Sequence, residues 1–338
     1  MNVAVVGATG VVGETILRLL DERNVPIGAL GLFASRPRSE PVRFRGDSLD
    51  VRAASEDALL DFDVVFFASG EDASERYAPA LVERGRVVID NSATFRMRRD
   101  VPLIVPGVNA EDVRPEHRLF PVANCTAIVL CTALRPIRDA AGLRSVRAAT
   151  YQAASGAGRR GLDELVEQER ALASGDPEPR AEVFGRPLAR NVVPQIGAFD
   201  ESGWSGEERK IRDEMRKMLA LPELHVAVTA VRVPVRTAHS QAVFLETRQP
   251  SSVAELSAAL ARGPGIVYHA DGIVTPRDVE GTDDVHVARL RSEPFDSAQD
   301  DKGRNFALWS VGDQLRKGAA TNAVQILELL LAKGFVAA

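Results

Sequence analysis

Val3-Ala4-Val5-Val6-Gly7-Ala8-Thr9-Gly10-Val11-Val12-Gly13 decides how the chain is read. Residues 3–6 form a short β-branched-rich run that passes straight into Gly7-x-x-Gly10-x-x-Gly13. Ile16, Leu17, Leu19 and Leu20 then supply the apolar face of a helix. Strand, glycine turn and helix open a dinucleotide-binding unit. The glycines permit a tight turn and close backbone approach to a pyrophosphate, and the helix N-terminus offers N–H groups and partial positive charge. On its own the stretch could also be a glycine turn without a ligand.

The pattern continues outward. Residues 29–34, 63–68 and 86–90 read as strands, with a helix through 77–83, and residues 103–106 and 120–123 extend the set. Strands alternating with helices predict a Rossmann-like, doubly wound parallel sheet. Asn124-Cys125-Thr126 opens a strong helix over about 126–140, after which the pattern changes. Longer strands are expected at 146–152, 225–235, 241–247, 285–291 and 306–311, with helices at 161–173, 207–219 and 253–261 between them. This predicts an α+β second domain with a largely antiparallel sheet. A last helix, about 313–333, has no strand after it and could pack back on the first domain. The expected division is therefore 1–126, with 315–338 returning to it, and 127–314. Residues 174–179 and 292–304 read as polar loops.

At 338 residues the chain is long enough for about two domains and an ample core. Net charge is −5 and aromatic residues are 5%, which argues against a nucleic-acid partner. No run reaches the ~18 apolar residues of a membrane helix, and the N-terminus lacks a signal-peptide pattern. The two cysteines, Cys125 and Cys131, would be roughly 9 Å apart along one helix, too far for a disulfide. A reduced, cytoplasmic protein is expected. Five scattered histidines give no metal spacing.

An NAD site often carries an acidic residue after the second strand. Here Ser35-Arg36-Pro37-Arg38-Ser39 stands there instead, and its arginines and serines suit the 2′-phosphate of NADP. A solvated arginine-rich loop is the plainer alternative. Cys125 sits where a helix dipole favours thiolate, whereas Cys131 lies among Val129, Leu130 and Leu134 and reads as core. Tyr151 to Gly158 ends a strand in a loop of small residues, and Arg232-Val233-Pro234-Val235 with His239-Ser240 ends another. A thiol, an arginine and a histidine suit acyl chemistry: nucleophile, anion clamp and proton carrier.

These stretches, with Asp90-Asn91-Ser92, Phe95-Arg96, Asn191-Val192-Val193-Pro194-Gln195-Ile196, Gly312-Asp313-Gln314-Leu315 and Lys317-Gly318-Ala319-Ala320, resemble the aspartate-semialdehyde dehydrogenase family in order and separation. The resemblance implies NADPH-dependent reductive dephosphorylation of 4-phospho-L-aspartate to L-aspartate 4-semialdehyde. That reaction serves the biosynthesis of lysine, threonine, methionine and isoleucine. It implies a homodimer or higher homo-oligomer formed through the second domain. It also implies roles: Cys125 as thioester nucleophile, Asn124 and Gln152 as acyl- and substrate-orienting amides, and His239 as acid/base catalyst. Arg232 would clamp the substrate α-carboxylate, Arg96 and Lys210 the phosphate, and Glu207 the substrate amine. Gly7, Thr9, Gly10, Val11, Val12, Gly13, Ser155, Gly156 and Gln314 would contact the cofactor, with Ser35, Arg36, Arg38 and Ser39. Arg96 and Lys210 could instead be surface charges, and Glu207 a helix-start carboxylate. Ala123 stands where the family often has proline, and Arg38-Ser39 is followed by Glu40-Pro41 where the family tends to show Arg-Ser-x-Gly-Lys. An N-acetyl-gamma-glutamyl-phosphate reductase and a catalytically silent NADP-binding paralogue are the rival readings. A short-chain-type reductase fits less well, because Tyr151 has no lysine four residues on.

Overall fold

The computed structural model describes residues 1–176, 179–293 and 303–337. Most of the 292–304 loop and the centre of the 174–179 loop therefore lie outside the described residues. The chain divides into two compact units, Met1–Ala123 with Ala319–Ala338, and Asn124–Gly318.

The first unit is built on a six-stranded sheet of β1 (Asn2–Val6), β2 (Ala29–Ala34), β5 (Val51–Ala53), β6 (Val64–Phe67), β7 (Val87–Asp90) and β8 (Leu119–Pro121). Their order is β5-β2-β1-β6-β7-β8 and every pairing is parallel. All residues of β6, β7 and β8 are buried, as expected of a parallel sheet covered on both faces. Helices α1 (Val11–Glu22), α2 (Glu56–Leu60), α3 (Glu71–Glu83) and α4 (Pro106–Asn109) connect the strands. The last helix, α10 (Thr321–Ala332), packs against α1, α4 and β7. Arg23 at the end of α1 meets Glu328 of α10 through two parallel hydrogen bonds of 2.8 and 2.9 Å.

Two sequence expectations for this unit need correction. Residues 103–106 form no strand. The Val105 N–H donates to Asn109 Oδ1, and the Leu103 and Ile104 carbonyls accept from the side-chain amides of Asn109 and Asn322. Side chains thus take the groups a sheet ladder would use, and Pro106 starts α4. The stretch before α2 also holds strands not expected from sequence: the hairpin of β3 (Val42–Phe44) and β4 (Asp47–Leu49), and edge strand β5. The hairpin turn is Arg45-Gly46, both at positive φ (49° and 91°), the geometry of a type I′ turn.

The second unit carries six strands in the order β10 (His225–Arg232), β9 (Leu143–Gln152), β11 (His239–Thr247), β14 (Asn305–Gly312), β13 (Val285–Ser292) and β12 (Ile266–His269). The sheet is mixed: the three central pairings are antiparallel, while the outer pairs β10–β9 and β13–β12 are parallel. One face packs under α5 (Cys125–Ala141), α7 (Gly206–Met218) and α8 (Val253–Ala261). The other carries Ala149, Tyr151, Ala242, Phe244, Ala307 and Trp309, paired across β9, β11 and β14. Tyr151 and Phe244 are exposed there, and Tyr151 leans on Trp309 with ring centroids 5.6 Å apart. Helices α6 (Gly158–Ala173) and α9 (Pro276–Val279) complete the unit. The helix expected over 313–333 is broken: a π-helical turn, Arg316–Ala320, precedes α10.

Candidate active site

In the first unit the chain runs from β1 to one side of the sheet and returns to β6 on the other. The Gly7–Gly13 turn thus lies at the switch point where open parallel sheets bind ligands. Gly7 has φ +88°, and a Cβ there would stand 2.6 Å from the Ala68 carbonyl carbon. A Cβ on Gly13 would collide with the Gly7 carbonyl oxygen. Gly10 differs: its Cβ would meet nothing closer than 3.4 Å, and no side chain caps α1. The start of α1 is therefore left to an external anion. Thr9, Val11 and Val12 line this turn half-buried, and Ser35, Arg36, Arg38 and Ser39 follow β2, exposed. Arg96 is buried in the same unit, its Nη2 donating to the Asn91 carbonyl at 3.1 Å. The turn before it is pinned by buried Asp90, which accepts from Ser74 Oγ, Ser92 N–H and Ser92 Oγ at 2.7–2.9 Å.

In the second unit Cys125 is the first residue of α5. Asn124 caps that helix, its Oδ1 accepting from the Thr126 and Ala127 N–H groups at 3.0 and 3.1 Å. Gly318 closes from behind, where a Cβ would lie 2.8 Å from Cys125 Cβ. Cys125 is half-buried and Cys131 fully buried, both as free thiols. Burial pushes the Cys131 thiol far up, out of the titration range of a reactive cysteine.

Strand pairing sets the remaining groups in a row. Arg232 at the end of β10 is in register with Gln152 at the end of β9. β11 runs the other way, so its first residue, His239, falls beside Gln152. Arg232 Nη1 donates to the Ala153 carbonyl at 2.7 Å, and the Phe184 ring lies 5.9 Å from its guanidinium. Burial lowers the Arg232 pKa, while nearby Glu207 and Cys125 act to raise it. Gln152 Nε2 donates to Glu207 Oε1 at 3.0 Å, and Thr150 Oγ1 donates to Gln152 Oε1.

His239 is fully buried. Its Nδ1 accepts the Ala153 N–H at 3.0 Å, so the neutral ring carries its proton on Nε2, which has no hydrogen-bond partner among the described residues. Burial, and then the Arg232 charge, hold its pKa well below the usual histidine value, against a smaller opposing contribution from the Ala238 backbone. Ala238 itself adopts φ 70°, a strained conformation held by its N–H bond to Gln314 Oε1 at 2.7 Å. Gln314 Nε2 in turn donates to Ser155 Oγ. Gly156 lies over the row, where a Cβ would come 2.6 Å from Arg232 Nη1 and 3.2 Å from His239 Nε2.

The chain is similar to known proteins over nearly its whole length. Residues 2–115 match the family model described as semialdehyde dehydrogenase, NAD binding domain, and residues 134–317 match semialdehyde dehydrogenase, dimerisation domain. The chain is 39% identical to the aspartate-semialdehyde dehydrogenase of Aquifex aeolicus, over 99% of both chains. It also superposes on the crystal structure of aspartate semialdehyde dehydrogenase II from Vibrio cholerae with a TM-score of 0.92, at 39% identity over 99% of both chains. A second structure of the Vibrio cholerae enzyme, described as complexed with ASA, matches at 40% identity, TM-score 0.91 and 98% coverage of both chains. The chain belongs to the aspartate-semialdehyde dehydrogenase family.

In this family member the second unit brings together Cys125, Asn124, Gln152, Glu207, Arg232 and His239, with Ser155, Gly156 and Gln314 along one edge. Lys210 is exposed on α7, one turn after Glu207. Asn124 has a structural role besides the expected one. Its Oδ1 caps α5 and its Nδ2 donates to Glu207 Oε1 at 2.9 Å. It thereby holds the helix start, and its second Nδ2 hydrogen is left for the acyl-orienting role the resemblance implies. Sequence reasoning missed Gly318 and Glu214. Glu214 is 2% exposed, and its Oε2 accepts the Asn124 main-chain N–H. A charged run such as Glu207-Glu208-Arg209-Lys210 reads as a solvated helix, which conceals a buried carboxylate seven residues on.

Proposed function

We propose that this chain interconverts 4-phospho-L-aspartate and L-aspartate 4-semialdehyde with NADP, through a thioester on Cys125. The reading rests on one observation, a half-buried thiol at the first position of α5 in a unit whose strand ends align Arg232, Gln152 and His239. The name shared by full-length relatives, and the ASA held by the Vibrio cholerae enzyme, support the substrate. The uncapped start of α1, with open space at Gly10, suits a pyrophosphate, and exposed Arg36 and Arg38 suit a 2′-phosphate. Gly7, Thr9, Gly10, Val11, Val12, Gly13, Ser35 and Ser39 would hold the same cofactor, with Ser155, Gly156 and Gln314.

The Cys125 thiolate attacks the acyl carbon, the C–O bond to phosphate breaks, and phosphate leaves with the electron pair; Arg96 and Lys210 are the cations the resemblance assigns to it. Bound NADPH supplies the hydride that reduces the thioester. The resulting alkoxide re-forms C=O as the C–S bond breaks, which returns Cys125 to thiolate. Splitting the reduction in two avoids one difficult step. His239 enters as a neutral ring with its proton on Nε2, a fixed donor for the oxygen that carries the developing charge. This narrows the acid/base role expected of His239 to hydrogen-bond donation: Cys125 begins and ends the cycle as thiolate, and the departing phosphate takes its proton from solvent. Arg232 takes the α-carboxylate and the second Glu207 oxygen the ammonium group.

The chain acts in this reading as a homodimer, in the cytoplasm, in amino-acid biosynthesis. The model description of residues 134–317 and the apolar open face with Tyr151, Phe244 and Trp309 support the dimer. A coupled assay with L-aspartate 4-semialdehyde, phosphate or arsenate, and NADP or NAD in parallel tests the proposal. Phosphate-dependent NADP reduction that disappears in C125S is expected. No turnover, or near-wild-type turnover by C125S, overturns it.

A further inference from the structure

Glu207 and Glu214 stand seven residues apart on α7, almost two full turns, and so share one face of the helix. Both reach the same residue. Glu207 Oε1 accepts from the Asn124 side chain, and Glu214 Oε2 accepts from the Asn124 main-chain N–H. The peptide that Glu214 holds is the one immediately before the nucleophile. With that N–H held and Nδ2 bound to Glu207, Asn124 Oδ1 points back onto the first turn of α5, where it accepts from the Thr126 and Ala127 N–H groups. Gly318 limits movement of Cys125 from behind.

A buried carboxylate is a costly way to secure a helix end, since the cap itself requires only Asn124. Electrostatics does not account for it either: a negative charge near the start of α5 opposes a thiolate. Glu214 indeed acts to raise the pKa of Cys131, a lesser effect there than burial. The carboxylate gives the Asn124 peptide an acceptor strong enough to fix it in one orientation.

We propose that Glu214 is a positioning residue for the reaction: it fixes the Asn124 peptide and thereby the angle from which the Cys125 sulfur meets the acyl carbon. Glu207 shares the task while keeping an oxygen for substrate, so the face of α7 works as a two-point holder of the nucleophile. The inference rests on Cys125 being the nucleophile.

The test compares E214M, which keeps the volume and removes the acceptor, with E214Q, which keeps an acceptor oxygen and removes the charge. Misplacement of a reacting group by about an ångström costs up to ~10²-fold. E214M should therefore lose roughly ten- to a hundredfold in kcat, with KM for L-aspartate 4-semialdehyde and for NADP within about twofold. E214Q should recover most of kcat. Thiol alkylation by iodoacetamide, read as its rate against pH, should show a changed rate or midpoint for Cys125 in E214M and near-wild-type behaviour in E214Q. If E214M does not fold, E214D, which withdraws the acceptor by one methylene, is held to the same criteria. Folded E214M or E214D with wild-type kcat, a loss confined to KM, or an E214Q no better than E214M would each overturn the proposal. A wild-type protein without semialdehyde turnover would refute the proposed function instead, and the alkylation profile would still decide the role of Glu214.

Discussion

His239 allows a quantitative prediction. It is fully buried, its Nδ1 is taken by the Ala153 N–H, and burial together with Arg232 keeps it neutral well below the usual pKa. In the unfolded chain the same ring titrates near ~6.5. Below that pH the unfolded chain takes up a proton that the native chain does not, so stability falls as pH falls, until the folded pKa is passed. Integrated over one group, the loss is about 1 kcal/mol between pH 6.5 and 5.5 and approaches about 1.4 kcal/mol per further unit. H239Q removes the titration. Its urea-unfolding stability should therefore fall about 1 kcal/mol less than wild type over that interval, whatever its absolute stability. The only tryptophans, Trp204 and Trp309, both lie in the second unit, so their fluorescence follows the unit that contains His239. His225, His269 and His286 belong to the same unit and are common to both proteins, so their contributions cancel in the difference. Equal slopes for H239Q and wild type would show that His239 is protonated in the native state, and with it the assignment of His239 as a neutral Nε2–H donor would fall.

Iodoacetamide applied to the native protein should modify one thiol, Cys125; modification of Cys131 before unfolding, read by peptide mass, would contradict its assignment to the core. G318A forces a methyl to within 2.8 Å of Cys125 Cβ, so kcat should drop roughly tenfold or more while KM for NADP stays within about twofold. An unchanged kcat would mean that the π-helical turn yields freely. R36A/R38A should raise KM for NADP by about tenfold and leave that for NAD nearly unchanged, because only the former carries a 2′-phosphate; equal effects on both would remove the 2′-phosphate assignment.

What the sequence disclosed was local. The Gly7–Gly13 turn and the Asn124-Cys125 helix start each lie within a few consecutive residues, where backbone geometry and capping act directly on residue choice. The row of Arg232, Gln152 and His239 is different. Its members sit far apart in the chain and meet only because β9 lies between β10, which runs parallel to it, and β11, which runs antiparallel. Periodicity carries no register of that kind. Family resemblance could nominate the three residues, but the tautomer of His239 follows from the Ala153 amide, which no pattern marks. Residues 103–106 show the opposite failure: an apolar run met the strand criterion, yet Asn109 and Asn322 had already occupied its backbone groups. The hairpin before α2 escaped notice because three-residue strands leave too little alternation to detect.

The charge pattern bears on the choice between substrates. A net charge of −5 conceals the cationic groups expected for a phosphorylated anion: Arg96 in the first unit, Lys210 and Arg232 in the second. The second unit adds carboxylate to that set. Glu207 engages Oε1 with Asn124 and Gln152 and lies close enough to raise the Arg232 pKa, while its other oxygen takes no hydrogen bond among the described residues. A guanidinium and a carboxylate at short range match an α-amino acid, whose carboxylate and ammonium are separated by one carbon. An N-acylated amino acid offers no positive charge to Glu207 and would leave a half-buried carboxylate facing a neutral amide, at a cost in desolvation without a return. The pairing of Arg232 with Glu207 therefore favours a free amine on the substrate, and with it the aspartyl over the N-acetylglutamyl phosphate.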